Sequence, residues 1–114
     1  MTPDGLDVAR AAAVRDLCAY GSDDAATVSL LDDVIAARRW WVDEWPDGEA
    51  FLPGLIAQDL QDALLDAGVR WPQCRHCDDG VVHCLHVDPP LDADPSWVCD
   101  EAAVVVARVG DLTR

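Results

Sequence analysis

The stretch WPQCRHCDDGVVHCLH, residues 71–86, places three cysteines and three histidines in sixteen positions. No other part of the chain limits the possible folds so strongly. Three soft side chains brought together need either a bond between them, a buried apolar setting or a metal ion. Cys74 and Cys77 form a C-x-x-C pair, and Arg75-His76 with the following Asp-Asp-Gly make a turn-rich knuckle. Two thiolates three positions apart on such a turn can hold one tetrahedral ion at about 2.3 Å each. Two further ligands are then required, and the sequence offers His83, Cys84, His86 and Cys99. Cys99 stands just before Asp100-Glu101, a turn, and supplies a return ligand from the next strand. Strand alternation groups His83 with Val81, Leu85 and Val87, and Cys84 with Val82 and His86. His83 and Cys84 therefore do not easily serve one ion from a straight strand. The expected set is Cys74, Cys77, His83 and Cys99 around Zn2+, with His86 and Cys84 as alternatives for the fourth position.

Other readings of the same residues fail on spacing or context. The chain has five cysteines, an odd number that suits a disulfide framework poorly. A haem-attachment motif needs His directly after C-x-x-C, where Asp78 stands. A Cys2His2 finger needs about twelve residues between its Cys pair and its His pair, whereas five separate Cys77 from His83. A thioredoxin-like pair sits at a helix N-terminus, and this one follows a helix and leads towards a hairpin. His76 is expected to be an exposed turn residue, and Cys18 an inert small apolar residue in a helix.

The rest of the chain divides into two periodicities. Leu6, Ala9, Ala13, Leu17 and Tyr20 recur at helical spacing from about Asp4 to Tyr20, with Gly21 as the stop. A second helix is expected from the N-cap Ser22, with Val28, Leu30, Leu31, Val34, Ile35, Ala37, Trp41 and Val42 forming a wide apolar face. Pro46 and Asp47-Gly48 end it. A third runs over LPGLIAQDLQDALLDAG, residues 52–68, with Leu55, Ile56, Leu60, Ala63, Leu64 and Ala67 inward and Gln58, Asp59, Gln61, Asp62 and Asp66 on the wet face. Beyond Gly68 the segments VVHCLHV, SWVC and AAVVVARV are short and β-branched. The expected fold class is α+β: two or three N-terminal helices (1–68) packed on a small C-terminal antiparallel zinc-ribbon-like sheet (69–114), as one compact unit. The aromatics from Trp40 to Phe51 are expected to join Trp71 and Trp97 in the seam between helices and sheet. The carboxylates Asp43, Glu44 and Glu49 among them have no nucleophile or phosphate loop beside them and read as a solvated rim.

Charge restricts the partners. The formal net charge is -14, all eight basic residues are arginine, and the one adjacent pair, Arg38-Arg39, is flanked by Asp32, Asp33, Asp43 and Glu44. Such a chain repels a polyanion, so direct nucleic-acid binding is not expected. No apolar run approaches the roughly 20 residues of a membrane span, and the N-terminus lacks the basic and apolar regions of a signal peptide. A cytoplasmic location, where thiols stay reduced, is the expectation.

From about Trp40 onward the chain resembles a family of small uncharacterised actinobacterial proteins. The resemblance rests on Trp71, Pro72, Cys74 and Cys77 in the knuckle, then His83, Leu85, Trp97, Cys99, Gly110 and Leu112. It covers about two thirds of the chain. Cys77 stands where the family more usually has His, Cys84 replaces a Pro, and the spacing from knuckle to His83 is longer. The resemblance implies a zinc-ribbon-like module and brings no established activity. The leading expectation is a non-enzymatic module with a structural zinc that presents a surface to a protein partner. The alternatives are a small metalloenzyme with an open zinc position, and an acidic nucleic-acid mimic that binds a basic partner.

Overall fold

The computed structural model describes residues 4–77 and 82–113. Helix α1 (Gly5–Ala19) begins where Asp4 caps it, accepting a 2.7 Å hydrogen bond from the Leu6 N–H. It ends at Gly21, whose φ of +65° lets the N–H groups of Gly21 and Ser22 return to the carbonyls of Cys18 and Leu17. Ser22 is thereby consumed in closing α1. Helix α2 (Ala25–Glu44) consequently starts later than the sequence suggested, with Asp24 at its N-cap position. At its far end, Pro46–Phe51 coil into a 3-10 helix instead of a loop and run straight into α3 (Leu52–Asp66). Gly48 makes that turn possible, since a Cβ there would lie 2.5 Å from the Trp41 ring.

Helix α3 is the centre of the helical layer. Leu52, Leu55, Ile56, Ala57, Leu60 and Leu64 are all buried, since α3 packs on both α1 and α2, whereas Ala63 is half-buried and Ala67, expected inward, is exposed where the helix ends. The helix closes at Gly68, in the left-handed region at φ +84°, with the Val69 N–H bonded to the Leu64 carbonyl at 2.8 Å. The sheet follows: β1 (His86–Asp88), β2 (Ser96–Cys99) and β3 (Val104–Arg108), antiparallel in the order β1-β2-β3. Val87 faces Trp97, and Trp97 faces Ala107, with a register shift between Trp97 and Val98. Three helices followed by a three-stranded antiparallel sheet make the α+β fold that the sequence implied.

The first strand is shorter than VVHCLHV suggested. Asp78, Asp79, Gly80 and Val81, read from the sequence as a turn and the start of that strand, lie outside the described residues. Leu85 and His83 bond to residues 72 and 74 (Leu85 N–H to Pro72 O, Cys74 N–H to His83 O, both 2.8 Å), and Cys84 bridges Gln73. The segment therefore pairs with the cysteine knuckle before it joins the sheet.

Helices and sheet share one core, in which Leu17, Leu60 and Leu64 meet Trp71, Leu85, Trp97 and Leu112. Trp71 and Trp97 pack edge to face, with ring centroids 5.4 Å apart. Of the aromatics from Trp40 to Phe51, only Trp41 packs against this core. Trp41, Trp45 and Phe51 associate with one another where α2 meets the 3-10 helix, and Trp40 is 69% exposed. One fully buried carboxylate links the layers: Asp16 of α1 accepts hydrogen bonds from the Trp97 indole N–H (2.8 Å) and from the backbone N–H groups of Gly110 (2.7 Å) and Leu112 (3.0 Å). Burial pushes the Asp16 carboxyl above its usual range, although those three donors and Arg15 pull the other way.

Candidate metal centre

The pairing of 83–85 with 72–74 places His83 over the knuckle, and the end of β2 delivers Cys99 from the opposite side. The Cys99 sulfur is the hub. It lies 3.6 Å from Cys74 Sγ, 3.5 Å from Cys77 Sγ and 3.5 Å from His83 Nε2. One donor atom from each of the four residues falls within 4.8 Å of the others. Tetrahedral bonds of about 2.3 Å to sulfur and 2.0–2.1 Å to nitrogen require S···S edges of about 3.8 Å and S···N edges of about 3.6 Å. The three separations from the Cys99 sulfur lie within about 0.3 Å of those edges. They are far longer than the 2.05 Å or so of a disulfide, and Cys74, Cys77 and Cys99 form no disulfide.

Backbone amides orient the sulfurs. The His76 N–H points at Cys74 Sγ at 3.4 Å, and the Ala102 N–H bonds the Cys99 sulfur in the turn after β2. Amide donors aimed at sulfur favour thiolate, the form that binds a metal. The Ala102 bond is the main reason that the Cys99 thiol is pulled down to about 7. Burial opposes it, and hydrogen bonds from His83, Cys77 and Cys74 assist. Cys77 is pushed up to about 12, chiefly by its hydrogen bond to Cys99, with burial and Cys74 adding to it. Charge favoured on the Cys99 sulfur is thus disfavoured on Cys77 beside it. A dication between them removes that conflict and deprotonates coordinating thiols outright.

Further residues hold the knuckle from outside. The Tyr20 hydroxyl donates to the Gln73 carbonyl at 2.8 Å, and the Arg75 guanidinium stacks 3.5 Å from the centroid of the Tyr20 ring. Gln61 of α3 donates from Nε2 to the carbonyls of Leu85 (2.6 Å) and Trp71 (3.2 Å), tying both ligand-bearing segments to the helix. The sequence assigned Gln61 to the wet face. It is half-buried because the chain returns over it twenty-four residues later, a contact that helical periodicity does not encode.

All four residues of the expected set, Cys74, Cys77, His83 and Cys99, are brought together, and the alternatives lie elsewhere. His86 points its Nδ1 at Asp100, 3.1 Å away. Cys84 borders a small apolar hollow of about 140 Å³ with Trp71, Leu65 and Val69, and burial raises its pKa. His76 is exposed, and Cys18 lies in α1 with its sulfur 3.5 Å from Asp23. The carboxylates Asp43 and Glu49 line an open hollow with Asp4 and Arg39.

A family model described as Domain of unknown function (DUF8819) matches residues 2–109. No curated protein and no solved structure matches the chain. Among the described residues no helix is long and apolar enough to cross a membrane.

Proposed function

The chain belongs to the DUF8819 family, and for this member we propose a non-enzymatic module with a structural Zn2+, bound by Cys74, Cys77, His83 and Cys99, that presents a surface to a protein partner. One observation carries the metal assignment: four donor atoms from three separated segments gather within 4.8 Å of one another, with the three distances from the Cys99 sulfur close to tetrahedral edges. Three thiolates and one imidazole in this geometry favour zinc over harder ions, which take oxygen ligands. Four protein ligands fill the tetrahedron and leave no position for an activated water, so the metal holds the fold instead of reacting. A reducing compartment such as the cytosol suits a set of free thiols.

Elemental analysis and native mass spectrometry of protein without a histidine tag test the assignment. One zinc per chain is expected, and the cobalt-substituted protein should show the intense visible bands of a tetrahedral thiolate site. Metal-free protein that is fully folded under reducing conditions overturns the zinc reading. A five-coordinate or water-bound ion overturns the non-enzymatic one.

A further inference from the structure

The apolar face of α2 is not fully covered. Thr27 and Leu31 are buried, and Leu30, Val34, Ile35, Trp41 and Val42 pack half-buried against the core. The outer sides of Leu30 and Val34, with exposed Ala37, form the floor of an open groove with Ala63 of α3, a hollow of about 390 Å³. Its rim is acidic. Asp33 stands on the α2 side, and Asp59, Asp62 and Asp66 stand on the α3 side. Arg38 neutralises Asp59 through two hydrogen bonds of 2.6 and 3.1 Å. Among the described residues, Asp33, Asp62 and Asp66 have no cationic partner.

We propose that the groove between α2 and α3 docks a basic amphipathic helix of a partner protein, its apolar stripe on Leu30, Val34, Ala37 and Ala63 and its Arg or Lys side chains on Asp33, Asp62 and Asp66. The proposal rests on the reading that this module works by presenting a surface, and it names the partner's chemistry. Length and charge select the occupant. The floor from Leu30 to Ala37 spans about 10 Å at 1.5 Å per residue, which is about two turns of a docked helix with anchors at i, i+4 and i+7. A second copy brings another net charge of -14 to an acidic rim, and nucleic acid or an anionic membrane is repelled in the same way. A helix with apolar residues along one side and cations beside them is attracted at range and buries the floor on contact.

The test uses zinc-loaded full chain, labelled with 15N and titrated with an eighteen-residue probe peptide that carries leucines at helical spacing and arginines elsewhere. A second peptide of identical composition but scrambled order controls for bare charge attraction. The amphipathic peptide should bind at least tenfold more tightly, with amide shifts concentrated in residues 30–37 and 59–66. Ala37→Arg, at an exposed position, should abolish that tenfold difference, with its zinc content and remaining amide spectrum unchanged. The double variant Asp62→Asn/Asp66→Asn should weaken binding several-fold and reduce its salt dependence. Equal binding of the two peptides, or an undiminished difference in Ala37→Arg, overturns the groove. Cross-linking in the source cells reads the wider role separately. A partner linked only to residues outside α2 and α3 overturns the groove and keeps the interaction role, whereas no partner at all overturns both.

Discussion

Cys99 carries more of the centre than any other single residue. It is fully buried and touches all three other donor groups, and its sulfur takes the Ala102 amide. Cys99→Ser should lower zinc affinity by about a hundredfold or more, since even residues that merely support a ligand are worth 10- to 100-fold. His86→Ala should leave affinity unchanged, because His86 faces Asp100. Competition with a chromophoric chelator measures both, and a weakened His86→Ala would move the fourth ligand away from His83. A second residue-scale expectation concerns Asp16. Burial raises its folded pKa, so the stability it contributes is present below its unfolded pKa and is lost as pH rises through the folded value. Asp16→Asn removes that titration. The unfolding free energy of the wild type minus that of Asp16→Asn should therefore fall as pH rises from the acid side, with the titration of the Cys and His cluster, common to both proteins, cancelling. A difference that rises with pH would show that the three hydrogen bonds outweigh burial. Asp16→Ala strands all three donors and should cost roughly 3 kcal/mol or more.

At the scale of elements, α3 is the surface against which the rest is set. Its first turn lies under the connection between β1 and β2, and Gly54 allows the approach. A Cβ at Gly54 would stand 3.0 Å from Pro95 Cγ and 3.2 Å from the Pro90 carbonyl oxygen. Two effects oppose each other in Gly54→Ala. Alanine gains about 1 kcal/mol of helix propensity, while forcing a methyl into a packed contact costs typically 1–3 kcal/mol. Neither a proline ring nor a backbone carbonyl yields easily, so net destabilisation of about 1 kcal/mol is expected in urea unfolding. A more stable Gly54→Ala protein would mean that the 89–95 connection shifts freely on α3.

For the whole molecule, the Cys and His cluster and the core are unequally shared. The helices pack on one another through Leu6, Leu17, Leu31, Ile56 and Leu60, whereas the short strands rest on Trp71, Leu85, Val87 and Trp97 and on the cluster at the end of β2. A structural zinc contributes on the order of 10 kcal/mol of apparent folding free energy, comparable with the 5–15 kcal/mol total stability of a domain. Chelation or Cys74→Ser should therefore erase amide protection over residues 70–110, while α3 retains part of its own. Hydrogen exchange on loaded and stripped protein measures this. Unchanged protection in the sheet would contradict a structural role for the metal. The Asp16 bonds to Trp97, Gly110 and Leu112 add a finer expectation: the second half of α1 should lose protection before α3 does.

Local physics, legible in the residues, determined the three helices with their glycine stops at Gly21 and Gly68, the succession of helices and antiparallel strands, and the knuckle. Helical stripes, left-handed glycine positions and the reach of a C-x-x-C turn all act within a few residues. Alternation along one strand could also separate His83 from Cys84. It could not decide whether His83 or His86 turns toward the knuckle, because that depends on residues 83–85 pairing with 72–74 before the sheet begins. Tertiary pairing decided that. The same cause explains the other departures. Gln61 left the wet face when two segments bearing the cluster crossed it, Trp45 and Phe51 stayed out of the seam at the 3-10 turn beyond α2, and the outer edge of the α2 stripe stayed open beside α3. Each of these joins residues far apart in the chain, where contact is set by how the elements pack and no periodicity within a single element records it.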